Sequence, residues 1–328
     1  KSILFFLGVY SLLVSLFSIL NIFYSIYFDF IIALNSYLIT FVISLIFGLL
    51  FYYVGYNHNK DITLTDQIIF VVLSFILIPF LISIPYTFSI YDIGLLNSYF
   101  ESVSGFTATG FSIIENVSDI DEPLLLWRSS SQWLGGLLFI LAIIGTIGSK
   151  QIKIKPAYLL SGGASGRNFY NNFNYNFIKI FLIYFVSTVL VIILFKLADI
   201  RLLDAFNLAF TVIPAGGFIA SDSLSNIIQT NLQTVVLSIT LIFSILNFFL
   251  FHDLISKQFS LKNYQEDLHL ILLVTLLTLF FYFFIIPDDE FANVLFSIIS
   301  SISTSGITTN SSNFDLSLFY IMLTIIGG

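Results

Sequence analysis

Three short stretches of small and hydroxyl-bearing residues, each ending in glycine, are the part of this sequence best suited to chemistry. Each offers backbone carbonyl oxygens, some of them add hydroxyls, and none carries a charged side chain. Oxygen ligands of this kind replace the hydration shell of a hard cation. Glycine gives the backbone angles and the room that such a loop needs. The twelve residues of these three glycine loops are Thr107, Ala108, Thr109 and Gly110; Pro214, Ala215, Gly216 and Gly217; and Ser303, Thr304, Ser305 and Gly306.

The residues before the three loops also match. Counted back from the last glycine of each loop, positions four, seven and eleven are always apolar, which is the spacing of one helix face. Position six always carries a hydroxyl. We therefore expect each loop to follow a short helix. The apolar residues are Phe106, Val103 and Tyr99; Ile213, Phe210 and Phe206; and Ile302, Ile299 and Leu295, and the hydroxyl residues are Ser104, Thr211 and Ser300.

These short helices are predicted at 94–106, 202–213 and 291–302, and we call them half-helices. A helix of this length reaches about 18 Å, whereas a bilayer core is about 30 Å thick. Seven longer apolar stretches can cross a membrane, and an eighth begins near Leu316. The seven are 3–22, 36–56, 67–90, 123–148, 176–198, 232–251 and 268–287. The order is two plain spans, followed by repeats of span, half-helix, loop and span.

The composition indicates an integral membrane protein. Of the 328 residues, 58% are hydrophobic and only 9% are charged, against about 25% charged in a soluble domain. The chain has no cysteine, which excludes disulfides and thiolate metal sites. No nucleophile–base pair, paired acids or metal cluster lies in the spans, so we do not expect an enzyme.

The charge distribution predicts the topology. With the N-terminus in the cytoplasm, nine of the 12 Lys and Arg residues lie on the inner side, as the positive-inside rule requires. All three glycine loops then lie on the outer side. The C-terminal, partly negative ends of the half-helices point to the membrane centre and favour a cation. The outer rim is predicted to be acidic, with Asp92, Glu101, Glu115, Asp119, Asp121, Glu122, Asp222, Asp288, Asp289 and Glu290.

Close helix packing is the alternative role for a membrane glycine. For Gly135 and Gly136 we favour packing, because no half-helix precedes them. We expect Phe111, which follows the first loop, to pack behind it.

The segments SVSGFTATGFS and LLLWRSSSQWLGGL resemble the first pore repeat of the Trk/Ktr/HKT superfamily of potassium transporters. The segments AFTVIPAGGFIASDS and SSISTSGITTN resemble its second and third filters. The two N-terminal spans are similar to the TrkH-type membrane subunit. The resemblance implies an all-α polytopic protein in which span–pore helix–filter loop–span repeats surround a pseudo-fourfold pore, with the glycine loops as a potassium selectivity filter. Pro214 departs from the usual hydroxyl residue.

The resemblance also implies partners and a location. They are a homodimer in the bacterial inner membrane, surrounding lipid, and a cytoplasmic nucleotide-binding regulatory subunit. Neither an organic cofactor nor a nucleic acid is expected. Gly327 and Gly328 resemble the start of the family's intramembrane gate loop.

The predicted domains are two N-terminal helices at 1–60 and repeats at 61–165, 166–262 and 263–328, the last incomplete. A fourth repeat is absent, and we expect its loop about 90–110 residues beyond Gly306, the spacing of the other copies. The predicted function is potassium uptake through backbone carbonyls. A less selective K+/Na+ translocating subunit and a non-conducting membrane scaffold or fragment remain alternatives.

Overall fold

A computed structural model describes residues 2–56, 64–91, 93–147, 173–246, 250–251, 264–308 and 317–327. These residues form α-helices joined by loops and short 3-10 turns, as the sequence predicts. The chain divides into two compact units, Lys1–Gln151 and Ile152–Gly328.

In its described part, the first unit contains five helices. They are α1 (Ser2–Tyr27), α2 (Ile31–Gly55), α3 (Leu64–Thr87), α4 (Leu95–Phe106) and α5 (Glu122–Ile147). Helix α1 packs against α2, α3 and α5, and α4 packs against α3 and α5. The half-helix α4 is therefore enclosed by the two long helices that precede and follow it in the chain.

The two N-terminal helices approach each other closely at glycines. A Cβ added at Gly8 would lie 2.4 Å from the backbone nitrogen of Tyr52, and one at Gly55 would lie 2.4 Å from that of Phe5. Helices in a bilayer gain no hydrophobic driving force from one another, so small residues that allow close packing stabilise their contacts. The hairpin of α1 and α2 is built in this way.

The second unit contains six helices in its described part. They are α6 (Phe173–Leu197), α7 (Leu202–Val212), α8 (Asn231–Ile245), α9 (Gln265–Phe280), α10 (Phe291–Ile302) and α11 (Ser317–Gly327), and a π-helical turn, Phe281–Ile285, continues α9. Its half-helices, α7 and α10, share one buried core, in which Leu208 and Val212 of α7 join Phe296 and Ile299 of α10. Helix α8 packs against α10, so the second and third repeats are in direct contact.

All three predicted half-helices are present, and they begin and end within one residue of the predicted bounds. The long spans agree less closely with the prediction. Five helices in the described ranges are long and apolar enough to cross a membrane: α1, α2, α3, α6 and α9 with its π turn. Helix α5 has 26 residues, but it contains the polar run Arg128–Gln132. Helix α8 ends after 15 residues, because Leu246 leaves the helical conformation at φ −68° and ψ 151°. The predicted span 232–251 is therefore interrupted.

Candidate cation-binding loops

The three half-helices end in similar ways. In the first, the N–H of Ala108 donates to the carbonyl of Gly105 at 2.9 Å, and the N–H of Thr109 donates to that of Ser104 at 3.0 Å. This pair of bonds is a Schellman motif, which satisfies the last carbonyls of a helix. The second copy repeats both bonds, from Ala215 to Val212 at 3.0 Å and from Gly216 to Thr211 at 2.8 Å. The third copy repeats the first bond of this pair, from the N–H of Thr304 to the carbonyl of Ser301 at 3.1 Å.

The second residue of each glycine loop is left-handed in every copy. The φ angles of Ala108, Ala215 and Thr304 are 53°, 56° and 59°. Non-glycine residues adopt this conformation at a cost of about 1–2 kcal/mol. Gly110 and Gly306 also have positive φ, at 82° and 66°, as the sequence argument for glycine requires. The φ of Gly217 is not positive, so the second loop differs at its last residue.

The hydroxyl six residues before each glycine has the same role in all three copies. This hydroxyl donates to the carbonyl of the residue that follows the glycine, and the bond ties the end of the loop back to the half-helix. The bonds run from Ser104 to Phe111 at 2.5 Å, from Thr211 to Phe218 at 2.9 Å and from Ser300 to Ile307 at 2.5 Å. The sequence pattern reveals these hydroxyls, but only the structure identifies their partners.

Most loop carbonyls have no hydrogen-bond donor. In the described part of the chain, no hydrogen bond is accepted by the backbone oxygens of residues 107–110, 214–216 or 303–306. A buried or membrane-embedded carbonyl without a partner is costly. Such groups therefore require water or a cation, and the three loops provide several of them in succession.

The loop hydroxyls bond within their own loops or to the half-helix that precedes them. The hydroxyls of Thr107 and Thr109 lie 2.6 Å apart, and that of Thr107 also donates to the carbonyl of Val103. Ser303 donates to Ser305 at 3.1 Å in the third loop. Proline and glycine occupy these two positions in the second loop, at Pro214 and Gly216. The hydroxyls therefore shape the first and third loops, and the backbone oxygens are the groups left without a hydrogen-bond donor.

Two glycines on the following helices touch the half-helix ends. A Cβ at Gly135 of α5 would lie 1.6 Å from the carbonyl oxygen of Phe106, and one at Gly327 of α11 would lie 1.8 Å from that of Ile302. Phe106 and Ile302 both lie four residues before a loop glycine. The packing role predicted for Gly135 fits this contact. Gly327 makes the same contact in the third repeat, and Gly328 lies outside the described residues.

A buried ion pair lies beside the first loop, and the sequence reading missed it. Glu101 was expected on the outer rim, but it is fully buried, and its carboxylate lies 3.0 Å from Nε of Arg128. The hydroxyl of Ser112 and the N–H of Ile113 both donate to this carboxylate at 3.0 Å. Glu101 shares a helix face with the small residues Ser98 and Gly105, also buried, and that spacing is the signal that could have revealed it.

The prediction for Phe111 was also wrong. Its side chain is 70% exposed, whereas the corresponding Phe218 and Ile307 are 4% and 2% exposed. The carbonyl of Phe111 is held by Ser104, but its ring does not pack behind the loop.

One acidic residue of the predicted rim, Asp121, is partly buried. Asp121 precedes α5, outside the spanning segments, and burial raises the pKa of its carboxyl group above the ordinary value. Burial likewise raises the pKa of Tyr91, whose hydroxyl oxygen accepts the N–H of Asp121 at 2.6 Å. The other described rim residues are either exposed or half-buried: Glu115, Asp119, Asp222, Asp288 and Glu290 are exposed, and Glu122 and Asp289 are half-buried. Asp92 lies outside the described residues.

The chain is similar to known cation transport proteins. A family described as TrkH, cation transport protein, matches residues 33–287. An uncharacterised cation transporter of Methanocaldococcus jannaschii is 28% identical over 307 residues, 88% of this chain and 61% of that protein. The Trk system potassium uptake protein TrkH of Vibrio parahaemolyticus is 25% identical over 82% of this chain and 59% of its own length.

A solved structure shares the fold. The crystal structure of the potassium transporter TrkH from Vibrio parahaemolyticus superposes with a TM-score of 0.78 at 23% identity, covering 99% of this chain and 69% of that one. The chain spans about three fifths of the length of the two relatives above. The family match covers more than half of the chain, so this polytopic membrane protein belongs to the TrkH family of cation transport proteins.

Proposed function

We propose that this protein takes up potassium through a pore whose selectivity filter is formed by the backbone carbonyls of the glycine loops. The observation that carries the proposal is the set of loop carbonyls without a hydrogen-bond donor, repeated after three matched half-helices. Carbonyl oxygens in such an arrangement replace the hydration shell of K+. Relatives named as potassium uptake proteins support the choice of ion.

On the family resemblance, the loops surround one pseudo-fourfold axis. A fourth loop completes the ring. The shared core of α7 and α10 supports adjacent second and third loops. The partly negative C-terminal ends of the half-helices add an attraction for cations and oppose anions. On the family resemblance, Gly327 and Gly328 begin a gate loop below this filter.

The test is cation uptake by the transporter expressed from its complete reading frame, in cells that lack their own potassium uptake systems. We expect growth at limiting K+ and uptake of radioactive rubidium that K+ inhibits more strongly than Na+. Equal inhibition by the two ions favours the less selective K+/Na+ translocator. The specific support for that alternative is the second loop, where Pro214 offers no hydroxyl and the φ of Gly217 is not positive. No uptake at all favours a non-conducting scaffold.

The proposed location is the bacterial inner membrane with the N-terminus in the cytoplasm. Cysteines introduced separately at Lys153 and at Asp121 of this cysteine-free chain are expected to react with an impermeant reagent from opposite faces. Reaction of both from one face would overturn this topology.

We also propose a homodimer that works with a cytoplasmic nucleotide-binding subunit. The relatives carry the name of a Trk system, and the family resemblance supplies the rest. The mass of the detergent-solubilised particle tests the dimer, and the nucleotide dependence of uptake tests the regulatory subunit. A monomeric particle, or uptake that does not respond to nucleotides, would count against the respective part.

A further inference from the structure

The chain that leaves the first glycine loop is attached to α4 at three successive residues. Ser104 holds the carbonyl of Phe111, and Glu101 accepts both the hydroxyl of Ser112 and the N–H of Ile113. The other end of the loop is fixed by the Schellman motif. The loop carbonyls without donors therefore lie between two fixed ends, and any movement of residues 111–113 displaces them.

The ion pair is arranged to hold Ser112 as well as to neutralise charge. Arg128 places Nε against Glu101 and Nη2 against the hydroxyl of Ser112, both at 3.0 Å. The planar guanidinium makes these two contacts in a fixed geometry that a lysine ammonium cannot reproduce. The side chains of Arg128 and Glu101 are only 3% and 0% exposed. Burying two charges costs desolvation free energy, so a buried ion pair by itself contributes little to the stability of the fold.

The other two loops lack this support. The position of Glu101, nine residues before the loop glycine, is occupied by Leu208 and Ser297 in the second and third copies. The position of Ser112, two residues after the glycine, is occupied by Ile219 and Thr308. The ionic support is therefore a property of the first loop rather than of the repeated unit.

We propose that Ser112, held between Glu101 and Arg128, is a positioning residue that sets the preference of the first loop for K+ over Na+. The inference rests on the proposed function, because it assigns ion binding to the carbonyls of Thr107–Gly110. None of the three side chains contacts the ion. They hold the carbonyls at the spacing that suits the larger K+, and loss of this restraint lets the loop contract around Na+.

The experiment replaces Ser112 in the complete transporter and measures inhibition of rubidium uptake by K+ and by Na+. Ser112→Ala removes the hydroxyl and leaves Glu101 and Arg128 paired. We expect it to lower the preference for K+ about tenfold, the effect of one charge-assisted hydrogen bond, while protein level and total uptake persist. Ser112→Thr retains the hydroxyl and is expected to retain the preference. The matched control is Thr308→Ala, which removes a hydroxyl at the same position of the third repeat and is expected to change nothing.

The outcomes separate this inference from the function on which it rests. A parent protein without any preference for K+ overturns both. A parental preference that survives in Ser112→Ala, or an equal loss in Thr308→Ala or Ser112→Thr, overturns the positioning role alone. If Ser112→Ala does not reach the membrane, Arg128→Lys decides. It keeps the charge but cannot contact both partners, so it must also reduce the preference for K+, and an unchanged ratio there rejects the proposal.

Discussion

The contact between Gly135 and the end of the first half-helix leads to a quantitative prediction. In Gly135→Ala, the new Cβ would lie 1.6 Å from the carbonyl oxygen of Phe106, whereas ordinary contact begins at 3.4 Å. Helix α5 and the end of α4 must therefore separate by about 1.8 Å. The obstacle is backbone, which cannot rotate away as a side chain can. We expect a loss of stability at the upper end of the range for overpacking, about 3 kcal/mol.

This substitution should also affect transport, because Phe106 directly precedes the first glycine loop. A shift of the helix end displaces the carbonyls of Thr107–Gly110 by a similar distance. The measurements are the apparent melting midpoint in detergent at one heating rate, since membrane proteins often unfold irreversibly, and rubidium uptake by the complete transporter. We expect the midpoint to fall by about 5 °C or more, together with a weaker preference for K+.

Gly94→Ala is the matched control. Gly94 precedes α4 with φ −56° and ψ 153°, which suit alanine, and a Cβ there has no neighbour within 4 Å. This variant should resemble the parent in both assays. Gly327→Ala, with its Cβ 1.8 Å from the carbonyl of Ile302, should repeat the loss in the third repeat. If Gly135→Ala behaves like Gly94→Ala, the helices do not touch at this point and the reasoning is refuted.

Three further changes test other parts of the structure. Gly110→Ser puts a side chain at a φ of 82° and is expected to weaken the preference for K+ over Na+; an unchanged preference would leave Gly110 a packing role only. Ser104→Ala removes the donor to Phe111 and should lower the stability by about 1–2 kcal/mol and reduce the preference for K+. Its control, Ser102→Ala, removes only a bond within α4 and should not alter the preference. Equal effects of the two variants on ion preference would contradict the role of the bond between Ser104 and Phe111. Burial raises the pKa of the Asp121 carboxyl group in the folded state, so protonation of this group favours folding. The parent should therefore gain stability as the pH falls from neutral through the range in which carboxyl groups titrate, and Asp121→Asn should lack this gain. Identical pH profiles of the two proteins would argue against a buried carboxyl group.

The sequence predicted the elements well where the signal was local. The apolar positions before each glycine define one helix face, and the half-helices at Leu95–Phe106, Leu202–Val212 and Phe291–Ile302 follow that spacing. Helix ends were less predictable. The hydropathy of 232–251 continues through Leu246, but the backbone becomes extended there. Hydropathy reports how far apolar side chains extend, and it does not report where the backbone stops being helical.

The matched half-helices and the membrane-spanning character were determined by the sequence alone, because residue spacing and composition are local properties. The tertiary structure decided which groups meet. Glu101 and Arg128 are far apart in the chain, and the sequence is compatible with either of them at an exposed outer rim. The packing of α4 against α5 brings them together as a buried pair. The sequence does not distinguish Gly327 from other membrane glycines, but in the structure a Cβ there would lie 1.8 Å from the carbonyl oxygen of Ile302. Phe111 and Phe218 each directly follow the last glycine of a loop, yet only Phe218 is buried. A periodic pattern specifies the face that a residue occupies, but its partner depends on contacts between distant segments.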